Sequence, residues 1–355
     1  MLVISTSQLK YFRMKLDEIL GYVKSAGHED TKLYLITRLL KPGMPKKSRV
    51  RDKYLFKVYQ VDCNDELREY LYGATIRQIE RVISKNYEMI DYDILSDETE
   101  HLFTFPIQNS VFSFSDVVTN QLKQVTEKVT SIANLLSENE ELWAYCLEFF
   151  ILESANKIFT FRKILPSKIG IDEKSTQNKK TLLGKFTKAY FNTASQQLAL
   201  LKEETINLDE QIDCIFVDET FYVIKKAYFE QIVGLQEEYK EKANEIADNM
   251  IKIGILNGGE KLKDLIEKKP SCHKKLVKVE KIGSYKELTR NSLSKMKKVC
   301  KRYGDALKIE DGKITIEDET DIDIVLKALG DYYKIGEISG KPYGTFSGKE
   351  LRTQE

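Results

Sequence analysis

The stretch Leu142–Ile164, LWAYCLEFFILESANKIFTFRKI, decides how this chain folds. Two runs rich in aromatic and aliphatic residues, Leu142–Ile151 and Lys157–Ile164, lie on either side of the turn sequence Ser154–Asn156. Runs of this length that are bounded by turn residues predict two strands joined by a turn. The apolar part is shorter than the roughly 20 residues of a membrane-spanning helix, and Glu148 interrupts it.

Around this pair, strands and helices are predicted in an irregular order. Further strands are predicted at Lys32–Leu40, at Lys53–Val61, within Tyr87–Phe114, and in two hairpins, Gln211–Val217 with Thr220–Lys225 and Ala306–Glu310 with Lys313–Glu317. Helices are predicted from the N-cap sequence Ser5–Ser7 to Gly27, at Asp65–Ser84, from Phe229 onward, through residues 261–302 and at Asp321–Tyr332. This order predicts an α+β protein with mixed sheets and packed helices in two domains, residues 1–140 and residues 141–355.

The composition is that of a globular protein. Of its 355 residues, 42% are hydrophobic and 31% are charged. The five cysteines are odd in number and widely spaced, and the three histidines share no ligand-like spacing, so we expect no metal site and no other cofactor. The start Met1–Ile4 lacks the basic and apolar regions of a signal peptide. We therefore expect a cytoplasmic protein that reaches a membrane only through a partner.

One segment breaks the near neutrality of a chain that has 56 Lys and Arg against 55 Asp and Glu. Lys261–Arg302 contains fifteen basic and four acidic residues, and Tyr303–Tyr333 after it contains nine acidic residues and three lysines. Charge separated in this way creates a directional field, and the common partners of a basic face are nucleic acids and anionic membranes. The plainer alternative is a solvated lysine face that serves solubility.

The composition of this segment favours contacts with phosphates. Lysine outnumbers arginine thirteen to two, which favours backbone contacts over the reading of base edges. Tyr285 is its only aromatic residue, so stacking on single-stranded bases is less favoured. The basic loop Lys41–Lys53 could extend the same footprint. The candidate nucleic-acid-binding residues are Lys274, Lys275, Lys278, Lys281, Lys286, Arg290, Lys295, Lys297, Lys298, Lys301 and Arg302.

We find no catalytic motif in the sequence. Gly336–Lys341 and Gly344–Lys349 resemble phosphate loops, but each has three residues instead of four between its glycines and lacks Ser or Thr after the lysine. Asp213, Asp218 and Glu219, around the first predicted hairpin, leave a metal-dependent nuclease open, since such a centre needs carboxylates that converge on one cation. The balance favours a protein that is not an enzyme, and we assign no catalytic residue.

The predicted helix after Phe229 bears on the oligomeric state. Its apolar residues recur at spacings of three and four over three heptads, from Phe229 to Ile253. Such a seam can pair two subunits as a coiled coil and so favours a homodimer. The alternative is a long helix that packs on its own sheet.

The second predicted domain also follows a plan of strand, hairpin, helix and tail. The residues that carry it are Phe161-Arg162-Lys163-Ile164 with Pro166 and Lys168, Ile212–Asp218, Phe221–Ile224, Phe229-Glu230, Leu326–Tyr332, Ile338–Tyr343 and Ser347–Lys349. Over roughly Leu142–Leu351 this plan resembles the KwaB component of the Kiwa anti-phage defence system and the wider uncharacterised-domain family to which KwaB belongs. Residues 1–140 show no such resemblance.

The resemblance implies a cytoplasmic defence protein that binds DNA, forms dimers and works with a small membrane protein, KwaA. The family offers no catalytic residues to carry over. Together with the basic segment, the resemblance predicts an anti-phage effector that binds DNA largely through phosphate contacts and acts with a membrane partner. Two alternatives stay open, namely a nuclease effector that uses magnesium and an assembly subunit whose basic face binds an acidic protein or an anionic membrane.

Overall fold

The chain divides into two compact units. The computed structural model describes residues 13–43, 54–95, 101–107, 114–135, 140–151, 156–165, 169–170, 189–192, 196–200 and 205–346. The first unit, called here the sheet unit, comprises Met1–Pro42, Tyr54–Ile90 and Glu100–Ile232. The second, called here the helical unit, comprises Gly43–Lys53, Asp91–Thr99 and Val233–Glu355. Helices and mixed sheets occur together, so the predicted α+β class is confirmed.

The sheet unit is built on one large sheet. Its helices are α1 (Leu16–Ala26), α2 (Asp65–Ser84), α3 (Ser115–Thr119), α4 (Ile132–Leu135) and α5 (Lys226–Val233). Its strands are β1 (Lys32–Leu40), β2 (Tyr54–Val61), β3 (Glu88–Asp91), β4 (His101–Pro106), β5 (Glu140–Ile151), β6 (Asn156–Lys163), β7 (Ile169–Gly170), β8 (Ala189–Asn192), β9 (Gln197–Leu200), β10 (Thr205–Ile206), β11 (Cys214–Val217) and β12 (Thr220–Val223). Eight of them form a sheet in the order β2-β1-β5-β6-β11-β12-β4-β3, which is antiparallel from β2 through to β4.

Strand β5 lies inside this sheet and is covered on both faces. Helices α1 and α2 pack on one face through side chains such as Ile19 and Ile79, which join Tyr145 and Phe149 of β5 in one core. Aromatic rings, among them Trp143, Phe56, Phe114, Phe161 and Phe229, pack on the other face. Burial from both sides explains why the decisive stretch is almost continuously apolar. Each such side chain contributes about 1.5–3 kcal/mol when it is fully buried.

A register shift in the sheet gives Trp143 its position. Ile36 of β1 pairs with Ala144, whereas the next residue, Thr37, pairs with Leu142, so Trp143 is the extra residue of a β-bulge. The indole nitrogen donates a hydrogen bond to the carbonyl of Ile232 at 2.8 Å. The bulge therefore attaches α5 to the central strand.

The outer edge of β2 is partly covered. The backbone N–H of Gln60 donates to the carbonyl of Glu127 at 2.8 Å, and the N–H of Val129 donates to the carbonyl of Gln60 at 3.0 Å. The side-chain amide of Gln121 donates to the carbonyl of Phe56 at 3.0 Å. Hydrogen-bonding groups that an edge strand would expose are satisfied at these points.

The helical unit packs its helices around a separate core. Its helices are α6 (Leu235–Ile253), α7 (Gly259–Lys268), α8 (Pro270–Ile282), α9 (Arg290–Arg302) and α10 (Glu319–Leu329). Its strands are β13 (Leu256–Asn257), β14 (Ile309–Glu310), β15 (Lys313–Thr315), β16 (Tyr333–Ile335) and β17 (Pro342–Gly344). The first three form a small sheet in the order β13-β15-β14, and the last two form a separate antiparallel hairpin. The hairpin predicted around Asp311-Gly312 is confirmed, and both turn residues have positive φ, as a tight hairpin turn requires.

The predicted heptad seam is divided between two helices. Gly234, with φ of 80°, lies between α5 and α6, so the pattern from Phe229 to Ile253 is not one continuous helix. The seam residues Ala243, Ile246 and Met250 pack in the core of the helical unit. The alternative interpretation, a helix packed within its own chain, therefore explains the seam. The homodimer stays a proposal that rests on other grounds.

The predicted boundary at residues 140/141 is not where the two compact units divide. Strands β1 and β5 come from opposite sides of that boundary and pair along Lys32–Leu39, whereas the units divide between Ile232 and Val233. The boundary remains a prediction about which part of the chain folds alone, and expression of residues 141–355 would test it.

Some predictions lie wholly or partly outside the described residues. They are the N-cap Ser5–Ser7, most of the basic loop Lys41–Lys53, parts of Tyr87–Phe114 and of the turn Ser154–Asn156, Pro166 and Lys168, and the residues from Ser347 onward. Among the helices that the structure describes, none has the length and apolar character required to span a membrane.

Candidate nucleic-acid interface

The eleven candidate cations lie on three consecutive elements of the helical unit. Helix α8 carries Lys274, Lys275, Lys278 and Lys281, a 3-10 turn over Ser284–Glu287 carries Lys286, and α9 carries Arg290, Lys295, Lys297, Lys298, Lys301 and Arg302. These elements differ in what their cations contact, and the difference divides the candidate residues into two groups.

The lysines of α8 are embedded in the unit. Lys274, Lys275 and Lys278 are half-buried, and only Lys281 is exposed. Lys275 Nζ lies 2.6 Å from Asp323 Oδ1 of α10. Lys274 and Lys278 also have partners within the protein. Three of the four lysines of α8 therefore already have partners within the protein.

Lysines around α8 are paired in the same way. Lys240 Nζ lies 2.6 Å from a carboxylate oxygen of Glu267, and Lys261 Nζ donates to the carbonyl of Glu317 at 2.7 Å. The remaining ion pairs of this group are Lys263 with Asp248, Lys269 with Glu319, and Lys286 with Glu280. We call Lys240, Lys263, Lys269, Lys275 and Lys286 the paired lysines.

The pKa values of the acidic partners agree with this pairing. Burial alone would raise the pKa of Asp323, but hydrogen bonds from Lys275 and Lys327 hold it below its ordinary value. Burial alone would likewise raise the pKa of Glu280, but hydrogen bonds from Lys286 and Tyr285 outweigh this effect and lower it. These carboxylates stay ionised at neutral pH and neutralise the lysines beside them.

Helix α9 presents its cations differently. Thr289 caps it, accepting a hydrogen bond from the backbone N–H of Ser292 at 3.1 Å, and the Ser292 hydroxyl accepts one in return from the N–H of Thr289. Leu293 and Cys300, seven residues apart, are buried on one side, which fixes the helix on the unit. The opposite side is solvent-exposed.

All six cations of α9 are solvent-exposed, and the helix contains no acidic residue. None of the six forms an ion pair within the part of the chain that the structure describes. The helix has 13 residues and so is about 20 Å long. We call α9 the cationic helix. Lys301 and Arg302 in its last turn are also favoured by the negative end of the helix dipole.

The acidic segment that follows is occupied by contacts of its own. Asp318 caps α10 by accepting from the backbone N–H groups of Thr320 and Asp321. Asp321 is buried and accepts from Lys308 Nζ at 3.0 Å, and Glu317 pairs with the same lysine. The hydrogen bonds that Lys308 donates to these two carboxylates raise its pKa. Much of the acidic charge of this segment is thus balanced by lysine side chains and backbone N–H groups of the helical unit.

The carboxylates of the nuclease alternative do not converge. Asp213 precedes β11 and is buried, with its Oδ2 accepting from the backbone N–H of Lys163 at 2.6 Å. Asp218 and Glu219 form the turn at the other end of β11, about 17 Å along the strand, with φ of 46° and 57°. Among the described residues, no group of three potential ligands could hold a metal ion. Asp213 has a structural role, because it fixes the junction between β6 and β11.

Sequence reasoning could not separate the two groups of lysines, although one signal was available. Some partners of the paired lysines lie far along the chain, as with Lys269 and Glu319, fifty residues apart, whereas Glu280 lies only six residues before Lys286. Residues 288–302, in contrast, contain six basic side chains and no acidic one, and the nearest acidic residues are Glu287 and Asp305 beyond the two ends. This local absence of acids is the pattern that distinguishes the cationic helix within the larger basic segment.

Comparison with known proteins identifies the family. The family described as Kiwa protein KwaB-like matches residues 139–339, which is more than half of the chain and includes the cationic helix. No curated protein and no solved structure matches the chain. The resemblance inferred from the sequence is confirmed. This chain therefore belongs to the KwaB-like family of the Kiwa anti-phage defence system.

Proposed function

We propose that this protein is a DNA-binding component of Kiwa defence that holds duplex DNA by its phosphates through the cationic helix. The observation that carries the proposal is the row of six exposed cations on α9, which have no ion pair among the described residues. Duplex DNA carries one negative charge per about 1.7 Å of its axis, so an array of about 20 Å meets many phosphates at once. Binding of this kind is independent of sequence, which suits defence against DNA of unknown sequence.

The paired lysines contribute less to this binding. A lysine that already neutralises a carboxylate has to break that contact, or share it, before it binds a phosphate. The footprint therefore centres on Arg290, Lys295, Lys297, Lys298, Lys301 and Arg302 rather than on all eleven candidate residues.

The proposal also includes partners. Membership of the Kiwa system implies other proteins of that system, and we propose a KwaA-like membrane protein as one of them. We further propose that the protein acts as a homodimer, which would present two cationic helices to one DNA molecule and strengthen binding through the linked second site.

A salt series on duplex DNA tests the DNA contact. Six phosphate contacts predict that the logarithm of the affinity falls with the logarithm of salt concentration with a slope of about −5. The test variant is the triple substitution Lys297→Gln, Lys298→Gln, Lys301→Gln. We expect it to bind about tenfold to hundredfold more weakly and to reduce the slope by about 2.5.

The matched control removes the same charge from paired lysines. It is the triple substitution Lys263→Gln, Lys269→Gln, Lys286→Gln, at positions that are similarly exposed but carry carboxylate partners. We expect its salt slope to stay close to that of the wild type. Equal losses in the two triple variants would show that net charge matters rather than pairing. Absence of binding at low salt would overturn the proposal in favour of an acidic protein or membrane partner, and cleavage of the duplex when magnesium is added would show nuclease activity.

A further inference from the structure

The hairpin after α10 presents an isoleucine fully to solvent. We call residues Tyr333–Gly344, which comprise β16, β17 and the loop between them, the arm. Ile338 lies in that loop and has an exposed fraction of 104%, the largest of any exposed large hydrophobic residue described. Ile335 and Tyr343 on the strands are each about half exposed, at 53% and 52%. Ile335 and Tyr343 lie on opposite faces of the hairpin, because Ile335 pairs with Pro342 and Tyr343 pairs with Lys334, so Ile338 in the loop is the single side chain that we consider as a contact residue.

The loop that carries Ile338 has a defined conformation. The N–H of Gly336 donates to the carbonyl of Lys341 at 3.0 Å, and the N–H of Gly340 donates to the carbonyl of Gly336 at 2.8 Å. A Cβ atom on Gly336 would lie 2.8 Å from the hydroxyl of Ser339 and 3.0 Å from the ring of Tyr343, so glycine is required there. Ile338 is thus held out on a preformed loop.

The base of the arm is attached to the end of the cationic helix. Tyr303, the residue after α9, stacks on Tyr333 with ring centroids 5.2 Å apart and an angle of 13° between the planes. The Tyr333 hydroxyl donates to Asp305 at 2.6 Å, and Lys327 also contacts Asp305. The arm therefore starts where the row of exposed cations ends.

We propose that the arm inserts Ile338 between base pairs in the minor groove and bends the DNA that the cationic helix holds. This inference rests on the proposed function. Proteins that bind the minor groove often place an isoleucine or another apolar side chain between base steps, and the duplex then kinks by about 20–90°. A single apolar side chain is enough for such a wedge. A membrane anchor, in contrast, needs a larger apolar face or a second anchoring signal.

Two charged side chains on the arm are expected to affect DNA binding in opposite directions. Lys341 is exposed beside the loop and can contact a phosphate, whereas Glu337 adjoins the wedge and repels one. Removing the charge of Glu337 should therefore strengthen binding, whereas removing the apolar side chain of Ile338 should weaken bending.

The test measures the distance between the ends of a duplex of about 30 base pairs by fluorescence energy transfer. With saturating wild-type protein, we expect the ends to come closer. The variant Ile338→Ser should leave the duplex nearly straight, with affinity reduced about threefold to tenfold, and Glu337→Gln should bind about threefold more tightly. The control is Ile253→Ser, at an isoleucine that is 52% exposed at the end of α6 and lies outside the arm, and it should match the wild type.

Each outcome separates this inference from the proposed function. Tight binding that depends on Lys297, Lys298 and Lys301 but leaves the duplex straight, with no effect of Ile338→Ser, would overturn the wedge and keep the DNA contact. Failure of the wild type to bind the duplex would overturn both. Loss of binding to anionic phospholipid vesicles on Ile338→Ser, with DNA bending unchanged, would show that the arm is a membrane contact instead.

Discussion

The two units of this protein differ in where a prominent positive charge lies, buried in one unit and exposed to solvent in the other. In the sheet unit, Arg162 is fully buried in the sheet, where its guanidinium donates to the hydroxyls of Thr160 and Thr75 at 2.9 and 2.8 Å. In the helical unit, the cationic helix holds six cations in solvent. Buried polar groups with fixed hydrogen-bond partners help to specify a fold, whereas exposed cations that form no ion pair among the described residues remain available to a ligand.

The pKa shifts follow the same division. In the sheet unit, burial raises the pKa of Tyr59 to about 12 and also raises the pKa values of the Cys146 and Cys214 thiols, so these groups stay neutral. Among the described residues, the carboxyl groups whose pKa is lowered, Glu267, Glu280, Asp321 and Asp323, all lie in the helical unit. Among the described residues, lowered carboxyl pKa values are thus confined to the helical unit, whereas the sheet unit also contains ion pairs such as Lys157 with Glu148 and Arg38 with Glu141.

The largest effect is expected from the buried arginine. Arg162→Ala leaves a cavity and removes the donor for two threonine hydroxyls, so we expect the free energy of unfolding to fall by about 3 kcal/mol. Urea unfolding followed by the fluorescence of Trp143, the single tryptophan of the chain, measures it. Arg302→Ala, at an exposed position, is the control and should change stability by less than about 0.5 kcal/mol. Equal losses of stability in Arg162→Ala and Arg302→Ala would contradict the difference between the buried and the exposed arginine.

The variant Arg162→Met separates the effect of the lost side-chain volume from the effect of the lost hydrogen bonds. Methionine fills much of the same volume without a charge, and apolar replacement of buried charged groups is often neutral or stabilising. We expect Arg162→Met to be more stable than Arg162→Ala. A loss as large as that of alanine would show that the hydrogen bonds, rather than the filled volume, hold this part of the sheet.

Acid should affect the helical unit first. Burial alone would raise the pKa of Asp321, but hydrogen bonds from the N–H of Glu317 and from Lys308 lower it. Because its folded pKa is lowered, its contribution is fully present above the unfolded pKa of about 4 and is lost as the pH falls through the folded value. We expect far-UV circular dichroism, which reports helices, to change at a higher pH than Trp143 fluorescence.

The substitution Asp321→Asn tests the origin of this acid sensitivity. It should lower stability at neutral pH by about 1–2 kcal/mol, because charged hydrogen bonds are lost, and it should flatten the pH dependence. Coincident transitions from both probes in the wild type would contradict the prediction, since they would show that the two units respond to acid together.

The smallest effect concerns a surface ion pair. Glu319→Gln removes the partner of Lys269 and should change the free energy of unfolding by less than about 1 kcal/mol, because both groups are about half exposed. The freed lysine should strengthen DNA binding about twofold to threefold and make the salt slope steeper by nearly 1. Unchanged binding would indicate that Lys269 lies outside the DNA footprint.

The sequence predicted the local elements well where the residue pattern alone determines them. The helix Asp65–Ser84 and the strand Lys32–Leu40 have the predicted bounds, because helical spacing and aliphatic runs respectively are strong local signals. The long helix expected after Phe229 failed at Gly234, since one glycine with positive φ ends an otherwise continuous pattern.

The candidate site was harder to predict, because its limits depend on contacts between distant residues. The sequence identified the basic segment, but the pairing of Lys275 with Asp323 depends on how α8 packs against α10. The arm was predicted only as a tail with turn glycines. Its attachment to the cationic helix depends on the stacking of Tyr303 on Tyr333, for which the sequence carries no local signal.

The covered edge of β2 has a consequence for the function proposed above. A DNA-binding protein held in many copies on one DNA molecule has a high local concentration, and open sheet edges then favour irreversible pairing between copies. The contacts of Gln60 with residues 127–129 occupy hydrogen-bonding groups through which such pairing would start. If the protein binds DNA as we propose, this short stretch of backbone would keep crowded copies from pairing at the edge of β2.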